Sequence, residues 1–210
     1  MRKTLLVLLG GLLLMLVLLG GAQLMAATFL PRSTPIPFSL EDLLLRQEEF
    51  CTAAPCHHLD PDSYPPETIA WETAQNLGLP TDYEKGIGIL FLAYDRPPKP
   101  PISIVHAVYR YPNAQQAAAR YRQLLQDLPH TLGRRHPIRH TTPWSPPGIQ
   151  GQVLELQDYV GKIYCLVAVR GNVITIMWTL DIEEFPARGS APHVFQQLLP
   201  VIAQRMAHVR

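Results

Sequence analysis

Three features of this 210-residue chain predict an α+β fold. The first is a tight hairpin centred on Gly171 and Asn172, flanked by two runs of apolar and β-branched residues. The second is a pair of segments, 113–128 and 190–208, in which apolar residues recur at intervals of three and four. The third is the spacing of the 21 prolines, which are absent from 113–128 and from the long stretch 148–185. Short turns between the strands predict a mostly antiparallel sheet.

The chain length and the numbers of charged residues indicate a single domain without a strong net charge. Residues 39–210 form one segment long enough to bury about 70% of its unfolded surface. Eighteen basic and seventeen acidic side chains leave a net charge of +1, so no overall field attracts nucleic acid, and we predict no nucleic-acid partner.

The N-terminus carries an apolar segment that reaches across a bilayer. No residue of 4–31 is charged, and Arg2 and Lys3 precede this run. As a helix it would be about 42 Å long, against a hydrocarbon core of about 30 Å. We predict that residues 1–30 anchor the chain in the lipid bilayer as a single pass, with the C-terminal domain outside the cytoplasm. The alternative is a cleaved signal peptide and a secreted domain.

A short connection and two helices come before the sheet. Residues 31–38 contain three prolines and predict a stiff stalk. Ser39, with Asp42 three residues later, has the spacing of a capping box and predicts a helix over 39–50. A second helix is predicted over 67–77, where Gly78 provides a C-terminal stop.

The sheet is predicted to have five strands, near 87–94, 102–110, 149–159, 162–170 and 173–181. In the hairpin, Arg170 should lie opposite Val173. That register gathers one wholly apolar face: Ile163, Cys165, Val167, Val169, Ile174, Ile176, Trp178 and Leu180. We expect helices 113–128 and 190–208 to cover this face and Trp178 to be among the most buried side chains. The other face, which includes Thr179, is more mixed and should be only partly covered.

The second half of the chain resembles a known group of proteins. The runs VHAVYRYPNAQQAAARYRQLL, YCLVAVRGNVITIMW and IAQRM are similar to exported bacterial lipoprotein and kinase-sensor ectodomains of the mycobacterial type. The resemblance covers about residues 102–210. It implies a ligand-sensing or interaction domain outside the cytoplasm, and it implies no catalytic residues.

The cysteines predict a local disulfide. Cys51 and Cys56 are five positions apart, and in an exported protein such a pair most often forms a bond. Cys165, on the apolar hairpin face, should then be a buried free thiol. Two alternatives stay open. Covalent c-type haem could attach at Cys51, Cys56 and His57, and a metal could bind with His57 and His58.

A second candidate site is a basic connection without acidic residues. Its groups could bind phosphate, a lipid headgroup or an acidic polymer: Arg134, Arg135, His136, Arg139 and His140. The alternative is a solvated connection without a ligand. His106, in the middle of a predicted strand, is interpreted as a hydrogen-bonded and partly buried histidine.

The sequence contains no nucleophile elbow, phosphate-binding glycine loop, paired-histidine helix or calcium loop. The sequence therefore favours a non-catalytic, membrane-anchored ligand- or partner-binding domain of a bacterial envelope, sensor-like in type. The alternative is a small exported hydrolase or metal-dependent enzyme that uses His57 and His58. Convergence of these histidines with a carboxylate in a concave pocket would favour the enzyme.

Overall fold

The computed structural model describes residues 38–53, 65–93, 102–132, 136–157, 161–182 and 191–209, which belong to one compact unit, Phe38–Arg210. The predicted anchor and nearly all of the stalk lie outside the described residues. None of the helices in the described ranges combines the length and the apolar character needed to cross a membrane.

The sheet has six antiparallel strands in the described ranges: β1 (Lys85–Ala93), β2 (Ile102–Arg110), β3 (Ile138–Trp144), β4 (Gln150–Gln157), β5 (Gly161–Arg170) and β6 (Val173–Ile182). Their spatial order is β1-β2-β6-β5-β4-β3. The prediction of five strands is wrong, because residues Ile138–Trp144 of the basic connection form a sixth strand, β3. It is an edge strand with mostly exposed side chains and contains Pro143, a residue tolerated at sheet edges. The other five strands occur where they were predicted.

The central hairpin has the predicted register. Gly171 has a φ of 53°, which suits glycine at the first loop position. Arg170 pairs with Val173, and Cys165 pairs with Trp178. The two loop residues therefore determine which hairpin side chains share a face.

The helices are a 3-10 turn, Leu40–Leu43, followed by α1 (Gln47–Ala53), α2 (Pro66–Leu77), α3 (Ala114–Thr131) and α4 (Ala191–Met206). A continuous helix over 39–50 is wrong, although the capping box of Ser39 and Asp42 is present. Leu44 is extended, and the consecutive Leu43, Leu44 and Leu45 are all buried. Successive side chains on a helix point in different directions, so the break lets all three leucines reach the core.

The helices cover both faces of the sheet, and the prediction that 113–128 and 190–208 share one face is wrong. Helices α2 and α3 pack on the predicted apolar face with Cys165, while α4 and α1 pack on the opposite face with Met177. The alternation of side chains along a strand shows which residues share a face. Because both faces of this sheet are largely apolar, it does not show which helix covers which face. The described residues of the unit Phe38–Arg210 therefore form three layers, with the sheet in the middle.

This arrangement changes the burial of two neighbouring residues in β6. Thr179, expected on a partly covered face, is only 1% exposed. Trp178 is half-buried and packs against the α2–α3 side of the core, so its expected place among the most buried side chains is wrong. Tyrosines and phenylalanines, beginning with Tyr109, occupy the largest fully buried positions in the described ranges.

His106 connects the segment after the 3-10 turn to the sheet. Its Nδ1 accepts a hydrogen bond from the Leu45 amide at 3.1 Å, and its Nε2 lies 2.8 Å from Thr175 Oγ1. The ring is completely buried, rather than partly buried as expected. Burial, together with the nearby Arg205 charge, lowers the pKa of His106 to about 3. The imidazole is therefore neutral, with its proton on Nε2.

Arg205 joins α4 to the N-terminal segment. Its guanidinium donates to the Glu49 carboxylate, with a shortest distance of 2.6 Å, and to the backbone carbonyl of Asp42 at 2.6 Å. The Arg205 side chain is 12% exposed, so this contact is largely shielded from water. It holds α1 and α4 together on the face that carries the candidate site.

Candidate functional site

A groove of about 270 Å³ lies on the α4 face, lined by residues of α4 and of strands β3, β4 and β5. Strand β3 contributes its alternate residues His140, Thr142 and Trp144, together with Pro143. Strands β4 and β5 and helix α4 contribute the rest: Val153, Glu155, Tyr164, Phe195, Gln196 and Leu199. A concave surface with apolar walls and a few polar groups is the usual form of a small-ligand site. The volume suits a ligand of about one ring.

A β-bulge in β3 directs His140 into the groove. Ile138 pairs with Leu156 and His140 pairs with Glu155, so Arg139 is an extra residue in the strand. Without the bulge, Ile138 and His140 would have the same orientation. With it, Ile138 packs against the core cluster on the α2–α3 face of the sheet and His140 lies on the groove side.

Trp144 is held against the backbone of a glycine on the neighbouring strand. It pairs with Gly151, and a Cβ placed there would lie 2.9 Å from Trp144 Cε3 and 2.9 Å from Ala168 Cβ. A side chain at position 151 therefore has no room, and the indole occupies that space. Such packing of an aromatic ring over a cross-strand glycine fixes the position of the ring.

The inner wall of the groove is aromatic. The rings of Tyr164 and Phe195 lie 5.9 Å apart at 41°, and Phe195 is 1% exposed. Tyr164 and Leu199 are half-buried and present their remaining surface to the groove. The deeper side chains anchor α4 to the sheet, so the wall is part of the core.

One charged pair lies at the groove. Glu155 and Lys162 form an ion pair with a distance of 3.0 Å, and their side chains are 23% and 38% exposed. Glu155 also lies opposite Tyr164 on β5 and opposite His140 on β3. The carboxylate charge is therefore balanced by an adjacent ammonium group, so the described residues at the groove contribute no strong net charge.

The predicted anion-binding residues are only partly described. Arg134 and Arg135 lie outside the described residues, His136 is half-buried, and Arg139 is exposed on the bulge. His140 is part of the groove. Anion binding by this set stays a prediction. The sequence did not indicate Trp144 as a site residue. The signal for it is that His140, Thr142 and Trp144 alternate along β3, which gives this strand a side that faces the groove.

The structure also describes only some of the residues in the cysteine prediction. Cys165 is buried and is the free cysteine of the described ranges, and burial raises the pKa of its thiol to about 12. Cys51 is half-buried in the last turn of α1. Cys56, His57 and His58 lie outside the described residues, so the disulfide and the haem and metal alternatives stay predictions. Within the described part of the chain, no group of three histidine, cysteine or acidic side chains could hold a metal ion.

Comparisons with known proteins give similarity at the level of solved structures. No family model matches the chain, and no curated protein matches it. Among solved structures, it is similar to the extracellular domain of PknH from Mycobacterium tuberculosis, with a TM-score of 0.45 and 14% sequence identity. The similarity covers 81% of this chain and 99% of that one. A similarity of this size carries no functional argument, so the functional conclusion rests on the groove.

Proposed function

We propose that this chain is a non-catalytic, membrane-anchored domain of a bacterial envelope that binds a small ligand in the groove beside α4. The observation that carries the proposal is a concave site of about 270 Å³ whose aromatic walls belong to the folded core. Since Trp144 and Phe195 are held in place by packing, the site exists without a ligand, which lowers the entropic cost of binding.

The proposed location outside the cytoplasm is supported by the sequence. Residues 4–31 are uncharged and follow two basic residues, which is typical of a membrane anchor oriented with its N-terminus inside. A disulfide between Cys51 and Cys56 is part of the same proposal, since such bonds persist in oxidising compartments. The buried free thiol of Cys165 agrees with this pairing.

Filling the groove should abolish binding without harming the fold. Gln196 lines the groove and is exposed, whereas the adjacent Gln197 is exposed and does not line it. We expect Gln196→Trp to remove most hits from a small-molecule library screened by saturation-transfer NMR. Gln197→Trp, the matched control, should retain them. A wild-type protein without hits, or equal losses in both variants, would contradict the proposal.

Reaction with iodoacetamide tests the disulfide. We expect one modified cysteine, Cys165, in denatured protein without reductant, and three after reduction. Closing so short a loop should stabilise the domain by only about 2 kcal/mol, so the reduced protein should remain folded in urea titrations. Three modified cysteines before reduction would disprove the Cys51–Cys56 bond.

A further inference from the structure

We infer that the groove binds a neutral, polyhydroxylated ring, that is, a sugar residue stacked on Trp144. This inference rests on the proposed function and names the chemical class of its ligand. Three observations lead to it: a fixed aromatic surface, a balanced charge and a rim that both donates and accepts hydrogen bonds.

The aromatic surface suits a ring with an apolar face. The indole of Trp144 is fixed over Gly151, and the half-buried ring of Tyr164 also lines the groove. Sugar rings present C–H groups on one face, and these can pack on the apolar face of an aromatic ring. Because Trp144 is half-buried, part of its surface is accessible for such stacking.

The charges disfavour ionic ligands. An anion would meet the Glu155 carboxylate, and a cation would have to compete with Lys162, whose ammonium lies 3.0 Å from that carboxylate. A neutral hydroxyl group avoids both costs, since it can donate to the carboxylate and accept from the ammonium group. A carboxylate has several acceptor positions, so the pairing with Lys162 leaves capacity for a ligand.

The polar rim matches a ligand with several hydroxyl groups. Thr142 and Gln196 can each donate and accept, and His140 adds a ring nitrogen. These groups come from β3, which also carries Trp144, and from α4. A ring with hydroxyls around its edge can therefore stack and form hydrogen bonds at the same time.

Fluorine NMR of protein labelled with 5-fluorotryptophan can test this inference directly. The chain has three tryptophans, and the resonances can be assigned with single Trp→Phe variants. The probes are N-acetylglucosamine and methyl glucoside as neutral sugars, choline as a cation, inorganic phosphate as an anion, and benzyl alcohol as an apolar ring. We expect the sugars to shift the Trp144 resonance in a saturable manner. Trp71, which is 54% exposed on α2, should not respond.

Substitutions in the groove provide the second readout. Trp144→Ala should weaken sugar binding about tenfold or more, because the stacking surface is lost. Glu155→Gln keeps the shape and should weaken binding by a smaller factor, while Trp71→Phe should leave it unchanged. Retained folding of each variant is checked from the remaining fluorine resonances.

The outcomes distinguish a failure of the sugar assignment from a failure of the proposal that the groove binds a ligand. Saturable shifts at Trp144 with choline, phosphate or benzyl alcohol, and none with the sugars, would overturn the sugar assignment while the groove remained a ligand site. No response at Trp144 to any probe, together with no Gln196→Trp-sensitive hits in the library screen, would overturn both proposals. Equal sugar affinity in wild type and Trp144→Ala would place the ligand elsewhere and also refute the assignment.

Discussion

Replacing Tyr109 with alanine is expected to lower the free energy of unfolding by about 3 to 5 kcal/mol. Tyr109 is completely buried on β2, and its hydroxyl donates to the Ala70 carbonyl of α2 at 2.8 Å. Its ring also lies 5.1 Å from that of Tyr83. The substitution leaves a large cavity between the sheet and α2 and removes the hydrogen bond.

Equilibrium unfolding in urea measures this effect, and Tyr109→Phe is the matched control. Phenylalanine preserves the packing and removes only the hydroxyl, so a loss of about 1 to 2 kcal/mol is expected. A result in which both variants are equally stable would mean that the ring contributes little and that α2 is not held to the sheet as described.

Acid should weaken the fold through His106. An unfolded histidine has a pKa near 6.5, whereas burial lowers the pKa of folded His106 to about 3. As the pH falls below about 6.5, the unfolded chain takes up this proton first, so stability that is complete above that pH is lost progressively down to about pH 3. The slope is about 1.4 kcal/mol per pH unit at most, and the total is about 5 kcal/mol.

A variant without the titrating ring isolates this contribution from those of other groups. His106→Gln cannot take up the proton, although its amide can still hydrogen-bond the Leu45 amide or Thr175. The variant should be less stable at neutral pH but should lose less stability between pH 6.5 and 4.5 than the wild type. Urea unfolding at a series of pH values gives both curves. Parallel curves would show that His106 is not responsible for the acid sensitivity.

The hairpin shows how much local sequence can determine. Gly171 can adopt a positive φ without strain, and once the turn is set, the pairing of Cys165 with Trp178 follows from the two-residue period of a strand. The same reasoning is less successful for β3, because the pairing of an edge strand depends on its neighbour and the bulge at Arg139 interrupts the alternation. Periodicity predicts helices α3 and α4 well, since each has a run of apolar residues at helical spacing.

The sequence alone determined the α+β class, the positions of five strands and most helices, and the register of the central hairpin, since these depend on local backbone preferences and side-chain periods. The tertiary structure decided which sheet face each helix covers. Both faces of the hairpin are largely apolar, so no local pattern distinguishes the place of α4 from that of α3. The groove also depends on which face of the sheet α4 covers. Trp144 and Glu155 lie on the paired strands β3 and β4, and Phe195, which is distant in the sequence, joins them only because α4 packs beside these strands.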